Sequence, residues 1–144
     1  MTIRVPGSVA YRDTVLDEVA ALCRRATSTA CGRVSQQFVD ELVSAVGEAF
    51  NNIAIHAYEG ATVDEVQVDV SFDGKEVTAT LRDFGKHFDP DAVEPPSLAE
   101  LPESGLGVYI IRAYVDGVTY TPGRPNTLTL RKWLRGAVPV GPHR

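Results

Sequence analysis

The chain has 144 residues, of which 44% are apolar and 23% charged, with a net charge of −5. That is one domain's worth of sequence with apolar material for its own core, since a chain of this size buries about 68–70% of its unfolded surface. It excludes wholesale disorder, a coiled coil and a collagen-like repeat, and no apolar run approaches the roughly 18 residues of a membrane span.

Residues 2–5 form a short strand that Pro6-Gly7 ends. The first six residues lack the apolar region of a secretion signal, so a cytoplasmic protein is expected. Helical spacing begins near Asp13, where Val15, Leu16, Val19, Ala20 and Leu22 recur at steps of three and four. Asp13, Asp17 and Glu18 sit early and Arg24 and Arg25 late, which suits the helix dipole. Cys23 and Cys31 fit no zinc or disulfide framework, and each reads as a small core or surface residue. Thr27 to Gly32 is a small-residue connection.

Ser35 is an N-cap for a longer helix with an apolar stripe of Phe38, Leu42, Val46, Ala49 and Ile53. The pattern runs to about Tyr58, where Glu59-Gly60 ends it. Val66, Val68, Val70 and Phe72 then alternate with polar residues, and Asp73-Gly74 is a hairpin turn. Val77, Ala79 and Leu81 continue the alternation on the return strand.

Residues 89–104 hold four prolines, five acids and no Lys or Arg, and read as a loop of lid length. A third helix starts near Gly105-Leu106-Gly107. Strands follow near 118–121 and 127–133, joined by Pro122-Gly123-Arg124-Pro125-Asn126. Residues 1–135 form the single domain, and 136–144 are a frayed tail. The order β-α-α-β-β-loop-α-β-β predicts an α+β fold: a two-layer sandwich with a mixed, mostly antiparallel sheet and three helices on one face.

Charge is uneven along this order. Residues 1–34 carry five basic and three acidic residues, 35–111 three and fifteen, and 112–144 six and one. Such asymmetry orients an encounter with a charged partner, though a solvated acidic face with a basic tail reads equally well. Basic residues are not interleaved with aromatics, so no nucleic-acid contact is expected.

Three pieces carry chemistry. Glu48, Asn52 and His56 are spaced i, i+4, i+8, each roughly 40° round the helix from the last. A carboxylate there can accept a proton, and an amide oxygen can ligate Mg²⁺. The solvated edge of an amphipathic helix has the same pattern. Asp83-Phe84-Gly85 follows the return strand, where the carboxylate can accept from an exocyclic amine and the glycine admits a flat ring. Asp and Gly are also the usual choice for a strand-ending turn. Ser104-Gly105-Leu106-Gly107 opens a helix, where free amides and the dipole favour an anion. Its spacing matches neither a Walker loop nor the dinucleotide fingerprint.

The order of these pieces, with Thr127-Leu128-Thr129-Leu130-Arg131-Lys132 on the last strand, resembles the GHKL ATPase superfamily and its Bergerat ATP-binding fold. The wording Glu-Ala-x-x-Asn-x-x-x-His-Ala-Tyr and Asp-x-Gly-x-x-Phe-Asp-Pro is most similar to the small bacterial serine protein kinases that act as anti-sigma factors. The resemblance covers about residues 2–133.

It implies ATP and Mg²⁺ as cofactors, Glu48 as general base for an acceptor serine, and Asn52 as Mg²⁺ ligand. It further implies Asp83 as acceptor for the adenine amine with Gly85 beside the base, and Gly105, Leu106 and Gly107 around the phosphates. Thr127 would support the adenine site through water. His56 matches the wording without a catalytic role. Implied partners are an anti-sigma antagonist of the STAS type as substrate, a sigma factor as target, and a second copy in a homodimer. Neither nucleic acid nor membrane is implied.

Topoisomerases, heat-shock chaperones and mismatch-repair ATPases of the superfamily need longer chains. A sensor histidine kinase needs a phosphoacceptor histidine, and none precedes Glu48. Two features depart from the pattern. His87 stands where the superfamily often has a second glycine, and the 89–104 loop has no cation for the phosphates. Lys86 or Arg112 could supply that charge, or the chemistry is slow. An ATP-binding partner switch with little or no phosphotransfer is the alternative to a kinase, and a scaffold without nucleotide is a third reading.

Overall fold

The computed structural model of the chain describes residues 1–28, 35–57, 64–86 and 103–134. The end of the 27–32 connection, Cys31, the Glu59-Gly60 stop, nearly all of the 89–104 loop and the tail lie outside the described residues.

Period-two patterning becomes sheet where it was expected. Strand β1 (Thr2–Pro6), β2 (Glu65–Phe72), β3 (Glu76–Asp83), β4 (Gly117–Thr121) and β5 (Asn126–Trp133) join in the order β1-β2-β3-β5-β4. Every pairing is antiparallel, so the mostly antiparallel sheet is wholly so among the described residues. Hairpin connections impose this for β2–β3 and β4–β5, because short links can only reverse the chain. In the β2–β3 turn, Gly74 has φ of +93°, the left-handed region that glycine enters without penalty. Asp73 caps that turn: its Oδ1 accepts from the amides of Lys75 and Glu76 at 2.8 and 2.9 Å.

Three helices build the second layer: α1 (Arg12–Ser28), α2 (Gln36–Asn52) and α3 (Glu103–Tyr114). The N-cap expectation holds, for Ser35 Oγ accepts from the Phe38 amide at 3.0 Å. The whole predicted stripe of α2 is buried, from Phe38 to Ile53. It packs on Val66, Val68, Val70, Val77, Ala79 and Leu81 of the sheet in one core. Each Leu, Val or Phe so buried stabilises the fold by about 1.5–3 kcal/mol.

Three details were not legible. In α1 the buried positions are Val15, Val19 and Cys23, with Leu22 only half-buried. Burial pushes the Cys23 thiol up to about 11, against a smaller opposing pull from Arg24, so it stays protonated at neutral pH and acts as core. Helix α2 passes directly into a π-helical turn, Ile53–Ala57, so the even step of the polar triad holds from Glu48 to Asn52 and stops there. Lys132 interrupts the apolar parity of β5. It is buried, donates to the Tyr114 carbonyl at 2.5 Å and pairs with Glu41 at 3.1 Å, which ties β5 to the end of α3 and to α2.

The opposite sheet face is polar. Asp69 accepts there from Thr2 and Arg82 on the two neighbouring strands and from Gln67 at 2.9 Å. Burial pushes the Asp69 carboxyl up, but these hydrogen bonds and the Arg82 guanidinium together outweigh it and hold the group below its usual range.

Candidate functional site

Two elements of separate origin meet at one cleft. The first is the end of α2, where Glu48 and Asn52 are half-buried. Helix α3 crosses them at Gly107. A Cβ added there would lie 3.0 Å from Glu48 Oε2 and 3.5 Å from Asn52 Oδ1. Both oxygens therefore face the α3 backbone, and a larger residue at 107 would press on Glu48 while only touching Asn52. Helix α3 starts at Glu103, two residues before the expected position. Gly105 thus falls in the first turn, whose amides have no partner within the helix, and Gly107 in the second. Leu106 lies between them, and its side chain, like that of His56, is not among those described.

The second element is the end of β3. Asp83 is 5% exposed. Its Oδ1 accepts from the Gly85 amide at 2.9 Å and from Asn126 Nδ2 at 3.0 Å. Among the described residues no donor reaches Oδ2, which leaves that oxygen to accept from a ligand.

Asn126 is the residue that sequence reasoning missed. It is fully buried. Besides Asp83, its Nδ2 donates to the carbonyls of Gly85 at 3.0 Å and Lys86 at 3.3 Å, and its Oδ1 accepts from the Gly123 amide at 2.9 Å. It clips the turn after β3 to the β4–β5 connection. Thr127, the expected strand residue, does not sit here. The register pairs Asn126 with Asp83 and Thr127 with Arg82. Side chains alternate along a strand, so Asn126 shares the inner face with Leu128 and Leu130, and Thr127 faces the polar side of the sheet. That parity was the available clue, since Leu128 and Leu130 mark the inner face.

Asn52 and Asp83 line the cleft together. Ala49, Ile53, Val108, Ile111, Val118 and Leu128 make its apolar walls, with Tyr120, Lys86 and Arg112 completing it. Glu48 and Gly107 meet beside it. A mostly apolar cleft lined by one buried carboxylate suits a heteroaromatic ring bearing an amine. No group of three His, Cys, Asp or Glu side chains that could hold a metal exists among the described residues. Mg²⁺ does not need one. It keeps waters and substrate phosphates and takes one or two protein oxygens, so the Asn52 amide oxygen fits it.

Residues 14–132 match the family model for a histidine kinase-like ATPase domain. The chain is 31% identical over 84 residues to an anti-sigma F factor of Clostridium botulinum, which covers 56% of this chain and 59% of that one. It is 27% identical over 129 residues to the serine-protein kinase RsbW of Bacillus velezensis, covering 83% and 81%. The histidine kinase domain of the blue-light activated histidine kinase of Erythrobacter litoralis EL346 superposes with a TM-score of 0.58 at 20% identity, over 90% of this chain and 62% of that one. The last likeness is one of fold. The match spans about 59% of the length of the anti-sigma F factor. Among the described residues no helix is long and apolar enough to cross a membrane.

Proposed function

The chain belongs to the histidine kinase-like ATPase domain family, and from that premise we propose that it is an ATP-dependent serine protein kinase that also serves as an anti-sigma factor. Its substrate would be a serine of an STAS-type antagonist protein, its target a sigma factor, and its working form a homodimer. The observation that carries the nucleotide reading is the Asp83 carboxylate. It is buried at the end of an apolar cleft, with one oxygen held by two donors and the other open. That open oxygen accepts from the adenine amine, and Gly85 lets the ring lie close to the backbone.

Phosphoryl transfer asks for positioning and charge neutralisation more than for covalent chemistry. Bound Mg²⁺ supplies charge neutralisation on the phosphates. Asn52 would hold that ion through its amide oxygen. The first-turn amides of α3, from Glu103 through Gly105, and the backbone at Leu106 cradle the phosphate chain at the positive end of the helix. Gly107 contributes by what it lacks, keeping α3 close to Glu48 and Asn52. Glu48 accepts the proton of the incoming serine hydroxyl, a contribution of about 10²–10⁴-fold to the rate.

The proposal is tested by calorimetric titration of the chain with ATP, with and without Mg²⁺, beside Asp83→Asn. Binding that Mg²⁺ strengthens and Asp83→Asn weakens by about a hundredfold supports it, since a hydrogen bond to a charged group is worth about 1.5–3 kcal/mol. Equal binding by both chains sinks it. A second reading, a nucleotide-binding switch with little transfer, is favoured by one feature: residues 87–111 contain no Lys or Arg.

A further inference from the structure

Lys86 and Arg112 are the two cations that line the cleft, and they come from different elements. The absence of Lys and Arg from residues 87–111 makes them the obvious neutralisers of phosphate charge. Their positions argue for the other end of the nucleotide. Lys86 lies three residues beyond Asp83. Its carbonyl accepts from Asn126 Nδ2 at 3.3 Å, and the same nitrogen donates to Asp83 Oδ1 at 3.0 Å. The backbone of Lys86 is thus held within one amide group's reach of the carboxylate that reads the base. Arg112 is in the last turn of α3, five residues past Gly107. At about 1.5 Å per residue it is about 7.5 Å further along the axis than the point where α3 meets Glu48 and Asn52. It lines the cleft together with Val118 and Tyr120 of β4.

An adenine ring offers one amine, which Asp83 can accept, and several ring nitrogens, which only a donor can satisfy. Its face also attracts a cation, and a planar guanidinium stacks on it well. The cleft walls are otherwise apolar apart from Asn52 and Tyr120.

We propose that Lys86 and Arg112 clamp the nucleotide by its base and sugar and add little at the phosphates. The clamp rests on the nucleotide reading above. It leaves Mg²⁺ and the α3 amides to neutralise the phosphate chain, so ATP affinity depends steeply on Mg²⁺ while adenosine affinity does not.

The experiment is a titration of the full chain with adenosine and with Mg-ATP, using wild type, Lys86→Gln, Arg112→Gln and Arg112→Lys. Circular dichroism melts check that each variant is folded. Adenosine is measured by its competition against a fluorescent ATP analogue, so weak binding is still read. The clamp predicts that each Gln variant loses about three- to tenfold for adenosine and for ATP alike, leaving the ratio of the two affinities unchanged. Arg112→Lys then restores part of the loss. Loss of ATP affinity with adenosine affinity intact assigns the pair to the phosphates and overturns the clamp. So does a full set of variants that bind both ligands as wild type does. A wild-type chain that binds no nucleotide overturns the nucleotide reading itself, and the clamp with it.

Discussion

The two ends of the cleft are built by different means. The base end is made by the sheet. Asp83 and Asn126 face each other across β3 and β5, both buried, and Asn126 locks the surrounding turns by donating three hydrogen bonds and accepting one. The end proposed to be catalytic is made by helix packing. Glu48 and Asn52 are half-buried, and the missing side chain at Gly107 sets how closely α3 approaches them. Recognition of a base calls for a rigid, satisfied network, because a half-satisfied buried one is costly. Proton transfer calls for an accessible carboxylate that a partner's hydroxyl can reach. On the proposed reading, rigidity is concentrated where the base is selected and relaxed where a substrate protein enters.

Breaking the catalytic end should leave the base end intact. Glu48→Ala is expected to lower phosphotransfer by about 10²–10⁴-fold with ATP affinity within a few-fold of wild type. Radiolabel transfer to the antagonist protein, measured beside calorimetry, checks both halves. Transfer at the wild-type rate would remove Glu48 as the base.

Breaking the base end should cost stability as well as binding. Asn126→Ala strips a donor from Asp83, Gly85 and Lys86 at once, and is expected to cost about 1–3 kcal/mol along with most ATP affinity. Thr127→Val, on the polar face, is expected to stay within about 0.5 kcal/mol. Denaturant melts of the pair decide between the two residues, and a larger loss at Thr127 would reverse the assignment.

A finer test separates the two properties at one residue. Gly107→Ala adds a methyl group 3.0 Å from Glu48 Oε2, so the carboxylate must give way. Alanine is the better helix former by about 1 kcal/mol, which offsets the contact. The melting temperature should hold or rise while transfer falls about tenfold. A fall in melting temperature with unchanged transfer would contradict the packing role.

The smallest expected effect lies on the far face. The Asp69 carboxyl titrates lower in the folded chain than in the unfolded one, so its contribution is complete above pH about 4 and fades as pH falls further. Its side chain is 30% exposed and screened, which limits the contribution to a few tenths of a kcal/mol, on the order of a surface pair. Asp69→Asn should cost those few tenths of a kcal/mol at neutral pH and converge on the wild type as pH falls below 4, which flattens the acid limb of the stability curve. Urea midpoints at pH 3 and pH 7 read this directly.

Much of this was legible in the residues. The α2 stripe and the β2–β3 alternation were, because burial imposes periods of 3.6 and two on residues that pack on one core. Glu48, Asn52 and Asp83 were singled out by the order of their motifs along the chain, each being weak alone, and the fold brings them to one cleft or its edge. Asn126 was not, because an asparagine after Pro125 reads as turn and only register with Asp83 reveals its partner. The π-helical turn was not, since Ile53-Ala54-Ile55 continues a helical pattern and the change of winding leaves no residue-type mark. The polar role of Lys132 was hidden because a charged residue on a strand normally marks the solvent side.

The side-chain bond from Asn126 to Asp83 joins residues 43 positions apart. Contacts of such separation form late, since the intervening chain must first be ordered. A polypeptide still emerging from the ribosome would have its helices and the β2–β3 hairpin before it had a completed base pocket. If the proposed site holds, nucleotide recognition arrives with the final strand, and a chain truncated or stalled before residue 126 would lack the pocket that reads the base.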